Sequence, residues 1–98
     1  MKEKDIINFL KDIENGKLSI NPLINLEDVY SDNIIYSVNN GWEITIFKDG
    51  DFWDYIDNIK TSNGEIINFN QLDSMINVRN YEPPLEIAKR VYGLDIEK

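Results

Sequence analysis

Apolar residues first recur along this chain at helical spacing. Ile6, Leu10 and Ile13 fall at i, i+4 and i+7 with Phe9 beside them, while Lys2, Lys4, Asp5, Lys11 and Asp12 take the other positions. The pattern predicts an amphipathic helix over residues 3–14, stopped at Asn15-Gly16. Residues 17–28 hold Pro22 and scattered apolar side chains, and they predict an irregular connection with a short extended piece at Leu18–Ile20.

From residue 33 to 69 the period changes to two, and turn signals punctuate the runs. The segments IIYSV and WEITIF flank Asn39-Asn40-Gly41. A three-residue loop with Gly41 in the left-handed conformation pairs Val38 with Trp42, Tyr36 with Ile44 and Ile34 with Ile46, which gathers the apolar side chains on one face. Asp49-Gly50 then predicts a two-residue hairpin that sets Phe47 opposite Phe52, Ile46 opposite Trp53, Thr45 opposite Asp54 and Ile44 opposite Tyr55. By the same logic Asn63-Gly64 sets Thr61 opposite Ile66 and Lys60 opposite Ile67.

Two sheet faces follow from strict alternation. Ile34, Tyr36, Val38, Trp42, Ile44, Ile46, Trp53, Tyr55, Ile59 and Ile66 make the core face. Ile35, Glu43, Thr45, Phe47, Phe52, Asp54, Ile56 and Ile67 make a mixed outer face. After Phe69 the helical period returns, with Asn70 as N-cap and Leu72, Met75 and Ile76 on one side. Glu82-Pro83-Pro84 interrupts it, and a last helix carries Leu85, Ala88, Val91 and Tyr92 before Gly93. The expected fold is one α+β domain over residues 1–98: an N-terminal helix, a four-stranded antiparallel meander and one or two C-terminal helices on one face of the sheet.

Composition narrows the chemistry. A hydrophobic share of 42% in 98 residues is that of a folded domain with its own core, with no run long enough to span a membrane and no signal-peptide pattern at the start. Cysteine is absent, which removes disulfides and thiolate metal sites and makes the cytoplasm the default location. Histidine is absent too, so the commonest general base and nitrogen ligand are missing. No serine sits in a nucleophile-elbow context, and no phosphate-binding glycine motif occurs. Catalysis and cofactor binding are therefore not expected.

The net charge is −8, and it is concentrated. Between Glu27 and Glu65 nine acids face two lysines, Lys48 and Lys60. A field of this sign disfavours nucleic acid and anionic membranes and favours a basic protein partner. Asp49, Asp51, Asp54 and Asp57 suggest a metal or acid–base cluster by composition, but the expected register sends Asp54 to the face opposite Asp51 and Asp57, so the four do not converge. The remaining functional suspect is an outer patch of aromatics and carboxylates that binds protein: Glu43, Phe47, Asp51, Phe52, Asp54, Ile56 and Asp57.

Gly41-Trp42, Ile44, Ile46, Phe47 and Asp49, followed by Asp54-Tyr55-Ile56-Asp57, resemble a small uncharacterised bacterial domain family. That family carries a G-W-x-ϕ-x-ϕ-F-x-D signature followed by D-Y-ϕ-D, and the resemblance implies no particular activity. In size, acidity and α+β order the chain is also similar to bacterial toxin-immunity proteins. The expected function is a non-catalytic acidic protein-binding domain, of the immunity or inhibitor kind, that neutralises a basic toxin or nuclease. The alternatives are a nucleic-acid mimic that inhibits a defence nuclease, and a small structural or regulatory domain. Mimicry needs carboxylates in rows, and strand neighbours two apart lie about 6.7 Å from each other, near twice the phosphate spacing of about 3.4 Å. Only Asp49 and Asp51 offer that. The sheet edges also leave open a homodimer.

Overall fold

In the computed structural model, which describes residues 2–69 and 75–97, the chain is α+β. Helix α1 (Glu3–Glu14) is followed by β1 (Ile20–Pro22), a 3-10 turn (Leu26–Asp28), β2 (Ser31–Val38), β3 (Glu43–Asp49), β4 (Phe52–Lys60) and β5 (Ile66–Asn68). The single turn α2 (Ile76–Arg79) leads to α3 (Leu85–Ile87), which continues as a π-helical turn (Ala88–Tyr92) and then β6 (Asp95–Ile96). Asn70 and Leu72 of the expected helix lie outside the described residues.

The sheet is mixed and curled, with strand order β1-β2-β3-β4-β5. It is not the antiparallel four-stranded meander expected from the sequence, because β1 adds an antiparallel edge and β6 runs parallel to the start of β4. Both additions are two or three residues long, too short to show a period.

Helix α1 forms as its spacing predicts and buries Ile6, Phe9, Leu10 and Ile13. The carboxylate of Asp5 accepts the Lys2 N–H at 3.1 Å, which satisfies a free donor at the helix start. Phe9 meets the half-buried Trp42 with ring centroids 4.6 Å apart. Val78, Ala88, Tyr92 and Leu94 complete the apolar layer from the C-terminal side. Tyr36 donates its buried hydroxyl to the Tyr92 carbonyl at 2.7 Å, and Tyr92 stands edge-on to both Tyr36 and Trp53. Burial holds both phenols well above the ordinary tyrosine range, so neither ionises in a folded protein near neutral pH.

Two of the three tight turns have the same chemistry. In Asn39-Asn40-Gly41 the Gly41 N–H donates to the Val38 carbonyl (2.9 Å), and the Asn40 Oδ1 accepts the Trp42 N–H (3.0 Å). In Ser62-Asn63-Gly64 the Gly64 N–H donates to Thr61 (3.0 Å), and the Asn63 Oδ1 accepts the Glu65 N–H (3.2 Å). Both are three-residue loops with glycine at positive φ, +90° in Gly41 and +91° in Gly64. The two-residue Asn63-Gly64 turn expected from the sequence is thus one residue too short. Lys60 pairs with Ile66 and Ile59 with Ile67, so Ile67 is buried and Ile66 is 63% exposed, the reverse of the expectation. No atom would obstruct a Cβ at Gly64, so Gly64→Ala isolates the backbone cost. It should lower the unfolding free energy by about 1 kcal/mol, read from the urea midpoint at unchanged slope.

The middle hairpin departs furthest from the sequence reading. Asp49 pairs with Phe52, so the two-residue loop is Gly50-Asp51 rather than Asp49-Gly50. Gly50 alone has positive φ (+62°), the sign pattern of a type II′ turn with glycine first. Two register shifts follow within β4, where the pairing with β3 skips Asp54 and Asp57 as extra residues. Each extra residue flips the side-chain parity. Trp53, Ile56 and Ile59 therefore all point inward, opposite Lys48, Ile46 and Ile44. Tyr55 leaves the core face to which alternation had assigned it, and Ile56, expected outside, is fully buried. The second shift restores the original parity, which is why Ile59 lies where the sequence put it. Bulges also increase local twist, consistent with the curl of the sheet.

At the end of α1, Glu14 has a carboxylate oxygen buried without a hydrogen bond, and desolvation raises its pKa against the weaker opposing effect of Lys11. A raised carboxylate pKa means that the folded state holds its proton more tightly, so Glu14 opposes folding once the pH rises through and above the ordinary carboxylate range. Glu14→Gln should therefore raise the melting temperature at pH 7 and lose that advantage near pH 4, as calorimetry at both pH values can check.

Candidate functional site on the outer sheet face

The register defines four rows of side chains on the face turned away from the core. They are Ser31–Asp49–Phe52, Asn33–Phe47–Tyr55, Ile35–Thr45–Asn58 and Ser37–Glu43–Lys60, with Ile66 beside Lys60 in the last. Alternation along β2 and β3 produces these rows directly, since Ile34, Tyr36, Val38, Ile44 and Ile46 between them are all buried. On β4 the pairings of Tyr55, Asn58 and Lys60 depend on the two extra residues.

The centre of the face is aromatic. Phe47 and Tyr55 stack nearly parallel, with an interplanar angle of 3° and centroids 5.3 Å apart. The guanidinium of Arg79, from α2, lies 4.4 Å from the Tyr55 centroid and extends the stack. Ile35 and Phe52 remain 40% and 37% exposed on either side. Thr45 is buried between the strands, and Glu43 opposes Lys60 at one end of the face, so the carboxylates Glu43 and Asp49 lie at opposite ends of β3.

The seven residues expected to form a binding patch therefore divide. Glu43, Phe47 and Phe52 lie on this face. Ile56 does not: it is a core residue, placed there by the parity change at Asp54. Asp54 is exposed at the first bulge. Asp57 is half-buried at the second, where its carboxylate accepts a hydrogen bond from the Asn58 amide at 2.8 Å. Asp51 sits in the turn and lines a separate cleft beside Tyr30. Tyr55, Arg79 and Ile66 belong to the face and are absent from the sequence-based set. A signal for Tyr55 was available in the three-residue spacing of Trp53, Ile56 and Ile59, which neither a regular strand nor a helix produces alone. Nothing local in the sequence announces that Arg79 stacks on Tyr55.

The β1–β2 edge of the sheet is guarded. On β1 the exposed edge contains Pro22, which has no N–H to offer. The Ile35 carbonyl accepts the Leu23 N–H, so odd-numbered residues of β2 turn their polar groups toward that side. Two residues earlier, the Asn33 N–H is taken by the Asp32 carboxylate at 2.7 Å. A carboxylate folded onto an edge donor discourages addition of another strand.

Among the described residues no group of three or more acidic side chains is placed to share a metal ion, and no helix is long and apolar enough to cross a membrane. Comparison with protein-family models, curated proteins and solved structures finds no match to this chain.

Proposed function

We propose that this chain is a non-catalytic protein-binding domain whose outer sheet face docks a basic partner, in the manner of an immunity or inhibitor protein. The observation that carries this reading is the Phe47–Tyr55 stack with Ile35 and Phe52 exposed beside it, on a chain of net charge −8. Aromatic side chains on a sheet supply the desolvated contacts from which lasting affinity comes. The acidic field speeds encounter with a cationic surface. Nucleic-acid mimicry is the weaker alternative, because Glu43 and Asp49 are six residues apart along β3, about 20 Å at strand rise. Self-pairing through the β1–β2 edge is disfavoured by Pro22, by the Asp32 carboxylate and by like charge on both copies.

The test is affinity capture, at low salt, of the product of the neighbouring gene co-expressed with this protein. A complex is expected, and Phe52→Ala should weaken it by about 2 kcal/mol, roughly thirtyfold in Kd. Raising the salt should slow association far more than it speeds dissociation. No complex at low salt, or a complex indifferent to Phe52→Ala, would overturn the assignment.

A further inference from the structure

At the end of the sheet where the β3–β4 turn lies, the residue 26–30 segment, Lys48, Asp51 and Gly93 enclose a cleft of about 400 Å³. Its size falls at the lower end of the range of small-molecule sites, roughly 300–1,000 Å³. Lys48 builds its floor. This lysine follows Ile44 and Ile46 on the inner face, is 5% exposed, and donates its ammonium to the carbonyls of Val29 (2.5 Å) and Gly50. It thereby ties one wall of the cleft to the other. Gly93 closes the back at φ +73°, where a Cβ would come within 2.8 Å of Leu26 Cδ1.

The lining has a definite sign. Glu27, Asp28 and Asp51 contribute three carboxylates, and none makes an ion pair or side-chain hydrogen bond among the described residues. The single lysine donates to main-chain carbonyls rather than to these acids, so three carboxylates against one ammonium leave the lining net negative. At the rim stands Tyr30, 81% exposed, the most exposed large hydrophobic side chain described. An apolar wall, an aromatic ring at the mouth and surplus negative charge are the features that accept a cation on an aliphatic stem.

We infer that this cleft is an anchor pocket for an arginine or lysine side chain presented by the basic partner. The inference rests on the proposed function and adds a second contact to it, at the β3–β4 turn end of the sheet. Arginine is favoured over lysine, because its planar guanidinium can bind a carboxylate in two places and stack on Tyr30.

The pocket can be read without the partner. Nα-acetyl-arginine amide, titrated into the 15N-labelled protein, should give saturable shifts confined to Val29, Tyr30, Gly50, Asp51 and Gly93. Nα-acetyl-glutamine amide at equal concentration should give none. Two lost surface charge pairs are together worth about 1 kcal/mol, so D28N/D51N should bind the arginine probe roughly fivefold more weakly. Tyr30→Ala, at a position exposed enough to leave folding intact, should weaken it about threefold. Shifts that never saturate, that spread over the acidic surface, or that persist unchanged in D28N/D51N would overturn the inference. A saturating probe with no captured partner supports the pocket and counts against the proposed function alone. A captured partner with a silent probe supports that function and rejects the pocket.

Discussion

Ile56→Ala should lower the unfolding free energy by about 3 kcal/mol, in the range expected when a fully buried isoleucine is cut back to alanine. Tyr55→Ala, one residue earlier, should cost only about 1 kcal/mol, because it removes a half-buried ring from a stack with Phe47 and a contact with Arg79. The order is informative because a regular strand running from an Asp49-Gly50 turn would place Tyr55 in the core and Ile56 outside. Urea titrations of the two variants, compared at equal slope, give the ranking. If Tyr55→Ala proved the more damaging, β4 would lack the parity change at Asp54.

Trp53→Ala should be the most destabilising single change, at about 3–5 kcal/mol. Trp53 is 2% exposed, stands edge-on to Tyr92 with centroids 4.8 Å apart, and donates its indole N–H to the Tyr81 carbonyl at 3.1 Å. It also lies opposite Lys48 in β3 and beside Ile96 in β6. Its removal opens a cavity and releases the C-terminal segment together, against a total stability that for such domains is about 5–15 kcal/mol. Trp53→Phe keeps most of the volume and loses the hydrogen bond, so it should cost clearly less. Thermal unfolding followed by circular dichroism distinguishes the three proteins. Equal melting temperatures for Trp53→Ala and the parent would remove Trp53 from the centre of the core.

What could be read from the chain alone depended on whether period and turn acted together. Helix α1 was legible because Ile6, Phe9, Leu10 and Ile13 repeat at helical spacing over about two turns. The first hairpin was legible because only the three-residue loop brings Tyr36 opposite Ile44 and Ile34 opposite Ile46, as the structure has them. The same loop recurs at Ser62-Asn63-Gly64, where the asparagine and glycine invited a shorter turn. In β4 a count of alternating residues could not detect Asp54 and Asp57 as extra residues; the first put Tyr55 and Ile56 on the wrong faces, and the second restored the parity for Ile59. That error removed Tyr55 from the candidate site and put Ile56 in it. Arg79 was out of reach for a different reason, since its contact with Tyr55 depends on the tertiary packing of α2 against β4.

Two extra residues re-aim β4, and this parity change creates the outward aromatic pair on the sheet. The change is tested most directly by interstrand nuclear Overhauser contacts between the β3 and β4 backbones. Contacts of Phe47 with Tyr55 and of Thr45 with Asn58 are expected. Contacts of Phe47 with Phe52 and of Thr45 with Asp54 would contradict it.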